Sequence, residues 1–146
     1  MDRANWIWKT ECIQTLSELV KPMNDYDPLT APEPDTWLAL DEQERIALVQ
    51  SHHQTLGVEL ESETLHAVIH AIVENQLAMQ DEPVQQALDR LMKEGLDRHD
   101  ALHAVGSVLA EHLWGTFNEN AKEDTSPEKY YRDLSKLTAK KWLASG

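Results

Sequence analysis

A chain of 146 residues with 41% apolar side chains is long enough to bury a core and too apolar to stay disordered. Its formal charge of −13, from 26 acidic and 13 basic residues, repels phosphate backbones and argues against nucleic-acid binding. No stretch approaches the roughly 18 consecutive apolar residues of a membrane span, and the single cysteine, Cys12, excludes an intramolecular disulfide and fits a reducing cytoplasm.

Only five glycines, against abundant leucine, alanine, glutamate and glutamine, predict an all-α protein. In chain order, Trp8, Cys12, Leu16 and Val20 recur every four residues and predict a helix from about Asp2 to Lys21, closed by Pro22. Pro28, Pro32 and Pro34 predict an irregular, hinge-like stretch over residues 24–35. Asp41 and Glu44 have capping-box spacing and open a helix to about Leu56, with Ile46, Val49 and His53 on one face and Gly57 as its stop. Ser62 caps a third helix that runs to about Met79. Asp81-Glu82-Pro83 starts a fourth, which carries Val84, Ala87, Leu88, Leu91 and Met92 and ends at Gly95.

Asp97 caps the fifth helix, to about Phe117. Apolar residues surround it nearly completely, which marks it as central. A polar loop over 118–124 leads to Ser126-Pro127-Glu128 and a last helix carrying Tyr130, Tyr131, Leu134, Leu137 and Trp142. From Ser126 to Gly146 there are five basic residues against two acidic ones, so this end is locally positive on an acidic protein. The expected architecture is an all-α, irregular helical bundle of five to six helices in one compact domain. It divides into an N-terminal helical arm and Pro-rich loop (1–35), a helical core (36–118) and a basic C-terminal helix (119–146).

Two stretches repeat one chemically loaded spacing. Leu65-His66-Ala67-Val68-Ile69-His70 and Arg98-His99-Asp100-Ala101-Leu102-His103 each place two histidines four residues apart. On a helix such residues lie on one face, one turn apart, and two imidazoles at that spacing can share a metal ion. The connections between the third, fourth and fifth helices are short, which favours antiparallel neighbours. The third and fifth helices would then run parallel, with the two pairs at one height. His66, His70, His99 and His103 are therefore the candidate metal ligands. Glu74, one turn beyond His70, is an accessory ligand or supporting group, and Asp100 adjoins His99. His53 could approach from the second helix, whereas His112 projects to another sector.

Nitrogen-rich ligation suits Zn, Fe, Ni or Cu rather than Mg or Ca. Four histidines would make a closed structural site. Three plus water would be catalytic in form, with Glu74 or Asp100 as a base. No His-Glu-x-x-His, no Gly-x-Ser-x-Gly and no phosphate-cradling glycine loop occurs, so the sequence names no reaction. A competing expectation is a non-enzymatic interaction module. Its histidines would form a buried hydrogen-bond network, and Trp6, Trp8 and the basic C-terminal helix would contact a protein partner or a second copy. A third is a pH-responsive switch through the clustered histidines.

The stretch from Trp37 to Trp114 resembles a family of small, helical bacterial proteins of unknown function. The resemblance rests on Trp37-Leu38-Ala39-Leu40-Asp41-Glu42, on His53, and on Leu65 through Gln76. It continues through Leu88 and Leu91 to the run from Gly95 to Gly106. It implies a helical fold with histidines close together and a bacterial cytoplasmic setting, and it implies no activity. The histidine spacing is also similar to that of hemerythrin-like and other di-iron bundles, although this chain has fewer carboxylates at bridging positions.

Overall fold

A computed structural model describes residues 23–55, 63–118 and 124–145. The expected helix over Asp2–Lys21, the Gly57 stop and the Ser62 cap lie outside these residues. Among the described residues there are seven helices and no strands, against the five to six helices expected. They are α1 (Pro34–Ala39), α2 (Glu42–Thr55), α3 (Glu63–Ala78), α4 (Glu82–Lys93), α5 (Arg98–Phe117), α6 (Pro127–Lys136) and α7 (Ala139–Ser145). None is long and apolar enough to cross a membrane.

The two additional helices have identifiable causes. The prolines at 28, 32 and 34 were expected to keep the whole stretch irregular. Pro34 instead opens α1, because its missing N–H costs nothing at a first helical position. The Glu33 carboxylate accepts the Thr36 N–H at 2.7 Å and completes the cap. The single last helix expected from the sequence is two helices. Leu137 adopts an extended backbone after α6, and the Arg90 guanidinium donates to the carbonyls of Leu134 and Leu137 at 2.6 and 3.1 Å. Those carbonyls are thereby satisfied without a continuing helix, and Thr138 Oγ1 accepts the Lys141 N–H at 3.2 Å to start α7.

The other boundaries follow the sequence signals. Asp41 and Glu44 exchange side-chain to backbone hydrogen bonds at 2.8 and 2.9 Å, a reciprocal capping box that opens α2. Gly95 sits at φ +110°, a conformation that favours glycine. There the Leu96 N–H reaches back to the Leu91 carbonyl at 3.2 Å and ends α4. Asp97 caps α5 through the Asp100 N–H at 2.8 Å.

Helix direction departs from the sequence expectation. His66 faces His103, His70 faces His99, and Glu74 pairs with Arg98. Residue numbers rise along α3 as they fall along α5, so the two helices run antiparallel, not parallel. Gly106 allows the close approach: a Cβ there would stand 3.0 Å from Ile69 Cγ2. α2 is also antiparallel to α3, with His53 against His66 and Arg45 against Asn75.

Two apolar clusters hold the bundle. The larger joins α3 through α7 and includes Val73, Leu88, Leu91, Leu102, Val105, Leu109, Tyr130, Leu134 and Ala139. The C-terminal helices are thus part of the core, however basic their outer surface. The smaller gathers Tyr26, Trp37, Val49, Ala67 and Ala71. There the Trp37 indole N–H donates to Asn75 Oδ1 at 2.8 Å, so a fully buried tryptophan keeps its polar atom satisfied.

Candidate metal centre

Each of three helices delivers two histidines to one place. α3 and α5 supply their i,i+4 pairs, and α2 adds His52 and His53 from its last turn. The ring centroids of His99 and His103 are 4.3 Å apart, those of His53 and His66 4.6 Å, and those of His66 and His103 4.8 Å. His70 stacks on His99 at 5.5 Å, and His52 closes the edge at 5.8 Å from His99. Six of the seven histidines therefore share one cluster. His112 lies elsewhere, 5.4 Å from the ring of Tyr130.

Among the described residues, His53, His70, His99 and His103 each offer one ring nitrogen within 4.8 Å of the other three. Around an ion bonded to nitrogen at about 2.0–2.1 Å, tetrahedral ligands stand roughly 3.4 Å apart. Modest side-chain closure would bring the four to that spacing. His70 and His53 are buried, and His99 and His103 are half-buried. Three ring nitrogens, His70 Nδ1, His99 Nε2 and His103 Nε2, are buried without a hydrogen-bond partner. His53 Nδ1 donates to the Val49 carbonyl at 2.8 Å, because a carbonyl can only accept. Its Nε2 is left as a lone pair, 3.0 Å from His66 Nε2.

The electrostatics keep His66, His70, His99 and His103 neutral. Burial, reinforced by the neighbouring imidazoles, pushes His70 down to about 2 and His103 down to about 3. Burial likewise lowers His66 and His99, against a smaller opposing pull on His99 from Asp97 and Asp100. Neutral imidazole is the form that ligates metal.

Glu74 is 1% exposed and fully engaged away from the ring nitrogens above. Arg98 Nη1 and Nη2 donate to its two oxygens at 2.7 and 3.0 Å, and the Tyr26 hydroxyl donates to Oε1 at 2.6 Å. Burial opposes the charge on Arg98, but the Glu74 carboxylate outweighs it and holds the guanidinium above its ordinary value. Burial and the same carboxylate push the Tyr26 phenol up, so it keeps its proton. The Tyr26 oxygen also lies 2.8 Å from His70 Nε2, and Arg98 Nη1 donates to the Pro28 carbonyl at 2.9 Å.

The structure thus brings together the four histidines marked by i,i+4 spacing. It adds His53 as a close neighbour of all of them, and it puts Glu74 behind His70. Asp100 makes its described contact through its backbone, to the Asp97 cap. Sequence reasoning missed His52, Tyr26 and Arg98. The adjacent His52-His53 pair at a helix end was the available signal for the first. Arg98 had a weaker one: a cation in the first turn of a helix opposes the helix dipole and calls for a buried carboxylate such as Glu74.

These features define a small all-helical domain organised around a buried histidine cluster. Residues 32–136 match the domain of unknown function DUF1841, and the chain belongs to that family. The matched span contains all six clustered histidines, Glu74 and Arg98, and begins after Tyr26. No curated protein and no solved structure matches the chain.

Proposed function

We propose that this protein binds a transition-metal ion through His53, His70, His99 and His103, with His66 as a fifth ring at the same site. The observation that carries the reading is the set of buried ring nitrogens without partners. An unsatisfied buried polar atom costs about 1–3 kcal/mol, and a metal ion would satisfy all of them at once. Uncharged imidazoles suit Zn, Cu, Ni or Fe. Glu74 serves the site from behind His70 rather than as a ligand, because both its oxygens are taken. No reaction is assigned. The single cysteine and the family resemblance favour a bacterial cytoplasm as the setting.

A specific contact favours the second reading, a buried hydrogen-bond network. With the His53 Nε2 lone pair facing it, His66 Nε2 can donate across the 3.0 Å gap. That network accounts for one pair of rings and leaves His70 Nδ1, His99 Nε2 and His103 Nε2 unaccounted for.

Thermal melts of metal-free protein distinguish the two. A ligand at one hundred times its Kd stabilises a fold by about 2.7 kcal/mol. Zinc, copper, nickel or ferrous ion should therefore raise the melting temperature, a chelator should reverse the rise, and His103→Ala should abolish it. A melting temperature that none of the four metals moves would contradict the metal reading.

A further inference from the structure

We propose that Tyr26 is a positioning residue of this centre, whose hydroxyl fixes His70 in the Nε2–H tautomer so that His70 meets the ion through Nδ1. The inference rests on the metal reading above and deepens it.

Both Glu74 oxygens accept N–H groups from Arg98, so this carboxylate is an acceptor only. Tyr26 Oη, 2.6 Å from Oε1, must donate there. A phenol has one proton. Once it is directed at Glu74, only lone pairs remain to face His70 Nε2 at 2.8 Å, so His70 is the donor in that bond. A neutral imidazole carries its hydrogen on one nitrogen alone, and Nδ1 is therefore the nitrogen with the free lone pair. This same Nδ1 is buried and without a partner, on a ring grouped with His53, His99 and His103.

His53 is fixed in the opposite sense. Its Nδ1 donates to Val49, and its lone pair is on Nε2, which faces His66 Nε2 at 3.0 Å. Two ligands are thus locked into different tautomers by two different acceptors, one a backbone carbonyl and one a hydroxyl backed by a carboxylate. A carboxylate behind a ligating imidazole also makes that ligand more basic. Tyr26 itself is held down by the same ion pair, since Arg98 secures the neighbouring Pro28 carbonyl. Arg98, Glu74, Tyr26 and His70 form one chain of donors and acceptors ending at the metal centre.

The test compares Tyr26→Phe with Tyr130→Phe in the full-length protein. Both substitutions remove the hydroxyl of a buried tyrosine, but that of Tyr130 serves Gln76 at 2.9 Å and touches no clustered histidine. Zinc affinity is read by competition with a chromophoric chelator, and the His70 tautomer by long-range proton–nitrogen correlation on metal-free, histidine-labelled protein. Tyr26→Phe should weaken zinc by about 10–100-fold, Tyr130→Phe should leave it unchanged, and His70 in the unsubstituted protein should carry its proton on Nε2. Equal zinc affinity in Tyr26→Phe and the unsubstituted protein, or a proton on His70 Nδ1, would overturn the proposal. Unsubstituted protein that takes up no metal while His70 still shows the Nε2–H form would refute the metal reading, and with it the ligand role of Nδ1, while leaving the tautomer lock standing.

Discussion

Two faces of α3 are finished in different ways. One face, with Val73 buried and Ile69, Ile72 and Leu77 partly buried, joins the larger apolar cluster with Leu91, Leu102, Val105 and Leu134. Those side chains need only one another, because apolar burial is satisfied by contact. The other face carries His66, His70 and Glu74 into a cluster of rings and an ion pair. There the satisfaction is uneven: Glu74 has every oxygen occupied, whereas ring nitrogens a turn away have no partner. One face is complete within the chain and the other is shaped for something added to it. The two should therefore respond differently to the same perturbations.

The largest contrast should come from the ion pair between them. Arg98→Ala leaves Glu74 charged, buried and short of two donors. Breaking a buried pair in this way costs about 3–5 kcal/mol, measurable by urea unfolding, and zinc affinity should fall with it because the support behind Tyr26 and His70 is lost. If stability is unmoved, Glu74 is not the anchor described here. On the apolar face, Leu91→Ala should cost about 2–5 kcal/mol through the cavity it leaves. Its zinc affinity should be that of the unsubstituted protein. An altered affinity would mean that the two faces are not separable.

A finer division lies within the cluster. His103→Ala should remove zinc binding and yet leave the metal-free fold as stable as before, since it deletes a buried nitrogen that has no partner. His66→Ala should weaken binding less, because His66 lies beside the four-ring set rather than within it. Equal losses would make His66 a ligand of equal standing.

A further contrast is in pH dependence. His70 and His103 are held at about 2 and about 3 in the fold, against an ordinary value near 6.5 when unfolded. Above about 6.5 neither state binds these protons and stability is at its full value. Below it the unfolded chain takes up protons that the fold refuses, so stability falls as the pH drops. The slope is at most about 1.4 kcal/mol per pH unit for each ring. Chemical denaturation of metal-free protein between pH 7 and 5 measures it. A flat profile would show that the rings are not shielded as described, while Leu91→Ala should shift the whole curve without changing its slope.

The helices were legible because their signals are local. Capping residues, Gly95 and the i,i+4 stripes act over one or two turns, and the boundaries they predict around α2 to α5 agree with the fold wherever it is described. Pro34 shows the limit of such signals, since the same residue breaks a helix from inside and favours one at its start. Leu137 shows another: the break after α6 is made by Arg90, a residue distant in sequence. The histidine pairs were readable as pairs, and their meeting was inferred from connection lengths. The structure keeps the meeting and reverses the direction, with His66 against His103 and His70 against His99. The complete cluster was not readable, because neighbouring residues such as His52 and His53 point about 100° apart on a helix and reach one place only at the end of α2. Tyr26 sits in a stretch without periodicity, and only the tertiary fold brings it to Glu74 and His70.

Elemental analysis tests the central claim most directly. Untagged protein purified without chelator should be compared with the His53→Ala/His103→Ala double variant by plasma mass spectrometry. The unsubstituted protein should carry a transition metal approaching one ion per chain, and a variant that is still folded should have lost it. Protein that is metal-free as purified and stays so after incubation with zinc, copper, nickel and ferrous ion would contradict it.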